Sequence, residues 1–297
     1  MYFSMIEASF LSKNYGKIKA LTDVSFSCRK GEIFGLIGHN GAGKTTLIKI
    51  LSGLITPTSG SLLINGIDVI SNPMKVRSSI GYLPEESRLY ETMFVPDYLN
   101  FFGEIYGLDQ QTITSRGDLL LSQLTLQPEG KRIGNLSKGM KRKVAIARSL
   151  IHDPTLLIYD EPGSGLDPMT TRFIIDYLKN LRLQGKTIIL SAHNLSQVEE
   201  ICDHVLILKR GKIVVQGTMP ELRELFGSIR YEIWYLHPEG KIPEMSAEQS
   251  GNLWVTIAHS IEELNKITGI ITATSGTVER IESKYPSLEE ILVKIGK

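Results

Sequence analysis

The chain has 297 residues, 33 basic against 32 acidic side chains and a formal net charge of +1, which excludes a global electrostatic pull toward nucleic acid. Its two cysteines, Cys28 and Cys202, lack a C-x-x-C partner, which excludes a disulfide scaffold and suits reduced thiols in a cytosolic protein. The length suits one large domain plus a smaller one; no run of 18 apolar residues is present to cross a membrane, and Met1-Tyr2-Phe3-Ser4-Met5-Ile6-Glu7 carries neither the basic nor the apolar segment of a secretory signal.

The first thirty residues alternate, and strands are expected over 4–15 and 24–28 around a turn at Asn14-Tyr15-Gly16. Glu32-Ile33-Phe34-Gly35-Leu36-Ile37 reads as a short buried strand. Gly38-His39-Asn40-Gly41-Ala42-Gly43-Lys44-Thr45 follows, and Thr46-Leu47-Ile48-Lys49-Ile50-Leu51 opens a helix. The eight residues from Gly38 match G-x-x-x-x-G-K-[ST] in full. Glycines there let successive N–H groups turn inward on a phosphate, Lys44 brings a positive charge to the β- and γ-phosphates, and the Thr45 hydroxyl is placed for Mg²⁺. The helix N-terminus favours the same anion. Gly60-Ser61-Leu62-Leu63-Ile64-Asn65-Gly66 predicts a strand ending in an Asn-Gly turn, and Ile80-Gly81-Tyr82-Leu83-Pro84 another stopped by proline.

From 94 to 126 the period turns helical, with Leu99, Phe102, Ile105 and Tyr106 on one face, as in an inserted helical subdomain at about 88–152. Leu136-Ser137-Lys138-Gly139-Met140 opens a basic helix, with Ser137 as its N-cap and Gly139 allowing close backbone approach. This is a second helix N-terminus able to grip an anion. One nucleotide cannot easily use two such cradles from one compact subunit, so the pattern points to a dimer whose second cradle serves the partner's nucleotide. Three apolar strands, at 156–159, 187–191 and 205–208, are separated by helices at 172–183 and 195–201, which predicts parallel pairing covered on both faces. The first delivers Asp160 and Glu161 at its C-terminal end, where open α/β sheets bind ligands. Asp160 can hold Mg²⁺ opposite Thr45, and Glu161 can act as general base on a water. His193 follows the second strand and projects from the same edge, able to bond a γ-phosphate or the attacking water.

The character changes at Phe226-Gly227-Ser228. Strands are expected at 229–236, 253–258 and 278–282, with helices at 261–266 and 288–295: a small α+β domain at 229–297 after a large one at 1–228.

In this order and spacing the motifs resemble those of the nucleotide-binding subunit of ABC transporters, over residues 4–226. Residues 38–46, including Thr46, look like the Walker A loop, and 156–161 like Walker B with its catalytic glutamate. Leu136 to Met140 stands where the signature Leu-Ser-Gly-Gly-Gln stands. Ser164-Gly165-Leu166-Asp167 resembles the D-loop, His193 the switch histidine, and Tyr15 the aromatic that stacks on adenine. The resemblance implies an α/β P-loop NTPase fold, the ABC cassette with its helical subdomain. It also implies a Mg²⁺-dependent ATPase working as a head-to-tail dimer with two sandwiched ATPs. The implied partners are a second ATPase subunit and a multi-span membrane permease, at the cytoplasmic face of the membrane, with no nucleic acid. Three positions depart from the family pattern: Glu85 for the glutamine that lies near the metal, Lys138 for a signature glycine, and Met140 for the signature glutamine. A carboxylate at Glu85 can still coordinate Mg²⁺ but adds negative charge near the γ-phosphate. The Leu-Pro-Glu and Ser-Lys-Gly-Met variants, and the tail Pro286-Ser287-Leu288-Glu289-Glu290-Ile291, resemble bacterial exporters of drugs, antibiotics, sodium ions or cell-surface polymers. A rival reading is a soluble ATP-driven clamp on DNA. It would need a long coiled coil between cradle and signature, and residues 46–136 are too short and show no heptads.

Overall fold

In the computed structural model, residues 4–127, 130–227, 229–242 and 245–296 are described. The chain divides into two compact units, Met1–Thr218 and Met219–Lys297. The break precedes the boundary expected at 228, because the helix after Thr218 packs within the second unit; Ser228 itself lies outside the described residues.

The first unit begins with β1 (Ser4–Tyr15), β2 (Ile18–Arg29) and β3 (Ile33–Ile37), followed by α1 (Lys44–Leu51), β4 (Ser59–Ile64), β5 (Ile67–Asp68), α2 (Pro73–Arg77) and β6 (Ile80–Leu83). A helical insertion of α3 (Val95–Ile105), α4 (Gln110–Gln123) and α5 (Lys138–Leu150) leads back to β7 (Leu156–Asp160). Then come α6 (Pro168–Leu183), β8 (Thr187–Ser191), α7 (Leu195–Ile201), β9 (His204–Lys209) and β10 (Lys212–Thr218).

Two sheets result. β2-β1-β4-β5 is antiparallel. The larger runs β10-β9-β3-β8-β7-β6, parallel except for β10, which returns antiparallel along β9. β3, β7 and β8 are buried at every position, as strands covered on both faces must be, so they read as unbroken apolar runs rather than alternations. The parallel register sets Asp160 and Leu36 on either side of Ser191, so β3, β7 and β8 end at one edge. A shared core joins the two sheets, with Phe26 of β2 and Phe34 of β3 5.3 Å apart. Leu47, Ile48, Ile50 and Leu51 of α1 are fully buried in it, each contributing about 1.5–3 kcal/mol; this anchors the loop that precedes the helix. Both cysteines are buried free thiols. Cys28 lies in β2. Cys202 follows α7, its Sγ so close to Gly35 that a Cβ there would sit 2.8 Å away.

The second unit holds α8 (Met219–Phe226), β11 (Arg230–Leu236), β12 (Ala247–Ser250), β13 (Leu253–Ala258), α9 (Ile261–Ala273), β14 (Thr277–Lys284) and α10 (Leu288–Gly296). Its antiparallel sheet runs β12-β13-β11-β14 around a core of Ile233, Tyr235, Ala258 and Ile271. α9 and α10 both start with serine caps: Ser260 accepts from the Glu263 N–H while Glu263 accepts from the N–H of the preceding His259, and Ser287 and Glu290 exchange bonds reciprocally.

Several boundaries differ from those expected. β2 begins at Ile18, since the hairpin turns after Tyr15 and the pairing runs to its tip. α6 begins at Pro168, because the Asp167 carboxylate caps it at the Thr170 N–H and proline suits the first turn. α9 continues past 266 to Ala273, where Ile270 and Ile271 complete the apolar face that packs on the sheet. β10 and β12 were not expected.

Candidate functional site

The edge where β3, β7 and β8 end carries the chemistry. Gly38 leaves β3 with so little room that a Cβ would meet the Leu208 carbonyl oxygen at 2.5 Å. Gly43 caps α1 at φ +110, a conformation open to glycine, with the Ala20 carbonyl 2.7 Å from where a Cβ would stand. Between them His39, Asn40 and Gly41 are exposed and Ala42 is buried. Lys44, the first residue of α1, folds back and donates to the Gly38 carbonyl at 2.6 Å and to that of His39 at 3.5 Å. Burial pulls its ammonium below the ordinary lysine value, and Glu161, Asp160 and Glu85 oppose that shift by their charge. Three acids are therefore gathered around the one cradle lysine.

Asp160 is the last residue of β7 and is buried. The Ser191 hydroxyl donates to its Oδ1 at 2.5 Å. Glu161 takes φ +48, a left-handed conformation rare outside glycine. Its N–H donates to the Ser191 hydroxyl at 3.1 Å and carbonyl at 3.2 Å. Its Oε1 lies 2.6 Å from His193 Nε2, the imidazole half-exposed and the carboxylate nearly buried. Burial lifts the Glu161 carboxyl above its ordinary value. His193 and Lys44 oppose the shift, and the charges of Glu85 and Asp160 reinforce it. A nearly buried carboxylate with a raised pKa, held against an imidazole, has the chemistry of a proton acceptor.

The second cradle stands elsewhere. The Ser137 hydroxyl accepts from the Met140 N–H at 3.2 Å and caps α5. Lys138 reaches over Gly165, and Gly139 packs against Thr170. Among the described residues no hydrogen bond joins residues 137–139 to 38–46.

The family profile described as ABC transporter matches residues 21–164. An ABC transporter ATP-binding protein of Methanocaldococcus jannaschii is 42% identical over 76% of this chain and 82% of its own length. The linearmycin resistance ATP-binding protein of Bacillus subtilis is 37% identical over 75% and 72%. A solved ATP-binding subunit of an ABC transporter superposes with a TM-score of 0.69, at 35% identity, over 75% of this chain and 93% of that one. The chain belongs to the ABC transporter ATP-binding proteins. As such it binds ATP and hydrolyses it.

In this ABC subunit the structure brings Lys44, Asp160, Glu161, His193 and Glu85 together, and among the described residues no hydrogen bond links them to Ser137 or Gly139. Thr45 and Thr46 sit in the first turn of α1, Thr45 exposed. Asp167 is engaged as the cap of α6, and Tyr15 ends β1, exposed, with the Lys13 ammonium 5.3 Å from its ring centre. Among the described residues no group of three or more His, Cys, Asp or Glu could hold a metal unaided. The hydroxyl of Thr45 and the carboxylates of Asp160 and Glu85 are nonetheless the hard oxygen donors Mg²⁺ takes, and they leave positions for phosphate oxygens and water. That donor set fits an ion arriving with its nucleotide.

Two residues escaped the sequence reading. Ser191 binds both Asp160 and Glu161. Arg142 of α5 is buried and donates to backbone carbonyls on both sides of Glu161. The only signal for Arg142 was its place on the stripe it shares with the buried Ala145, Ile146 and Ser149.

Proposed function

We propose that this ABC subunit powers export through a separate multi-span membrane permease, as one half of a head-to-tail ATPase dimer at the cytoplasmic face of the membrane. The observation that carries the reading is the gathering of Lys44, Asp160, Glu161 and His193 at one sheet edge, while among the described residues no hydrogen bond joins the capped start of α5 to the cradle at 38–46. A nucleotide neutralised from both sides therefore needs the α5 start of a second chain. The resemblance to a resistance protein supports the direction of transport. Among the described residues no helix is long and apolar enough to cross a membrane, in keeping with a separate permease.

In this reading the backbone N–H groups of residues 38–46 and the Lys44 ammonium bind the phosphates, and Tyr15 stacks on the adenine. Thr45 and Asp160, with Glu85, would hold Mg²⁺, which when bound supplies positive charge to the phosphate oxygens. Glu161 accepts the proton of the attacking water, and His193 holds the carboxylate in place and reaches the γ-phosphate. Ser137, Gly139 and Asp167 serve the partner's side of the site. Positioning and charge neutralisation carry the catalysis.

The test pairs two variants. Lys44→Ala is expected to weaken ATP binding by about 10–100-fold, the loss of one charge-assisted bond. Glu161→Gln is expected to leave affinity intact and lower kcat by about 10²–10⁴-fold. Nucleotide titration and steady-state hydrolysis check both, and wild-type turnover by Glu161→Gln would remove it as the base.

A further inference from the structure

Arg142 sits five residues after the α5 cap, roughly 7.5 Å along the helix. Its side chain leaves the helix and ends between two loops. Nη2 donates to the carbonyl of Asp160 at 3.0 Å and of Glu161 at 2.8 Å, and Nε to that of Pro162 at 2.9 Å. Nη1 donates to the carbonyls of Pro84 at 2.7 Å and Glu85 at 3.0 Å, and to the Ser87 hydroxyl at 3.3 Å. Every one of these acceptors is neutral. Burial lowers the Arg142 guanidinium pKa to about 10 and the charges of Asp160 and Glu85 oppose that shift, but among the described residues no carboxylate pairs with it directly, and a buried cation held mainly by neutral acceptors is costly to keep. What an apolar side chain cannot do is draw three successive carbonyls toward one point. Neither a strand nor a helix aligns carbonyls that way. The run so gathered contains Glu161, whose left-handed backbone needs holding. Ser191 fixes the N–H of that residue; Arg142 fixes its carbonyl and those of both neighbours.

We infer that Arg142 is the positioning residue for water activation: its fork holds the 160–162 backbone so that the Glu161 carboxylate meets His193, and ties that run to the 84–87 loop. The inference rests on the reading of Glu161 as the base. It assigns Arg142 no contact with nucleotide, since the cradle at 38–46 lies outside its hydrogen bonds. Planar geometry is the requirement. Five N–H donors in a fixed fork reach both loops at once, whereas a lysine ammonium is a single point with three donors.

The experiment measures ATP affinity, kcat, KM and melting temperature for Arg142→Lys, Arg142→Met and Glu161→Gln in the full chain, assembled with its membrane partner where the isolated subunit dimerises poorly. Arg142→Met is expected to lower kcat by about 100-fold, the scale of an ångström-level misplacement, with ATP affinity within threefold of wild type. Arg142→Lys is expected to fold normally and recover part of that loss, remaining about 10-fold slow at unchanged KM. A folded Arg142→Lys with wild-type kcat overturns the inference. So does a folded variant whose ATP affinity falls as far as its kcat, because that pattern is general loosening of the unit. Should Arg142→Met not fold, Arg142→Lys decides by the same criteria. Wild-type turnover by Glu161→Gln is a different failure, since it removes the base itself. Inactive Glu161→Gln beside fully active Arg142 variants removes only the positioning role.

Discussion

Lys44 donates to the Gly38 and His39 carbonyls, neutral acceptors, so a phosphate oxygen bearing a full charge would be its stronger partner. On the proposed reading Glu161 is the base, so its protonation state would decide activity. Its carboxyl is raised by burial, and only its ionised form accepts a proton. As the pH falls through that raised pKa the base is lost, so the acid limb of the kcat profile is expected above the ordinary glutamate value of about 4.3. A profile of kcat against pH checks this; a limb at or below that value would mean the charge of His193 and Lys44 outweighs burial. The cradle and the Asp160-Glu161 pair were legible in the sequence because their chemistry is local: glycines, a lysine and two acids at fixed spacing. Arg142 was not. Among lysines and arginines in a basic helix it looks like any solvated cation, and only the approach of β6 and β7 from distant sequence gives it six acceptors.

At the scale of elements, the first two turns of α5 present two different surfaces. Its Ser137 cap is exposed, and its Arg142 turn is buried against the loops after β6 and β7. If the cap serves the partner's nucleotide, defects in cradle and cap must complement between chains. Lys44→Ala and Ser137→Arg homodimers are each expected to be inactive. A mixed dimer places both defects in one composite site and leaves the other intact, so hydrolysis measured against mixing ratio is expected to peak at intermediate ratios, reaching a substantial fraction of the wild-type rate per intact site. Full activity in the Ser137→Arg homodimer would show that the cap does not face a nucleotide. The parallel strands are readable as apolar runs and the helices of the 94–126 stretch by their period, whereas the short α2 and α8 were not expected. β10 was missed although Arg210 and Gly211, both at positive φ, form the two-residue turn that joins it to β9. Its alternating exposure is that of an edge strand, which lacks the unbroken apolar run of its buried neighbours.

Taken as a whole molecule, the chain keeps its motifs within the first unit. Every residue assigned to ATP lies at or before His193, and the second unit has its own sheet, core and capped helices. A chain ending at Thr218 is expected to bind ATP with wild-type affinity, measured by titration after the melting transition has been confirmed. An insoluble product, or one blind to nucleotide, would mean that the second unit contributes to the stability of the first. The domain break was misplaced from sequence because composition shifts at Gly227, whereas packing shifts eight residues earlier, where α8 joins α10.

The two buried thiols make the first unit its own clock. Only a thiolate reacts with an alkylating reagent, and burial pushes both cysteines well above the ordinary thiol value, so each is labelled only when its surroundings open. Reaching Cys28 requires opening the core shared by the two sheets. Opening Cys202 requires only that seven-residue α7, which follows the His193 loop, lift from Gly35. Cys202 should therefore be modified faster, at a rate reporting the breathing of the switch segment, while Cys28 reports disruption of the whole unit. Saturating ATP at a hundred times its Kd should slow the Cys28 reaction about a hundredfold, because global opening releases the nucleotide. It should slow Cys202 only as far as the γ-phosphate pins His193, so the ratio of the two rates measures how tightly nucleotide binding is geared to the loop that senses it.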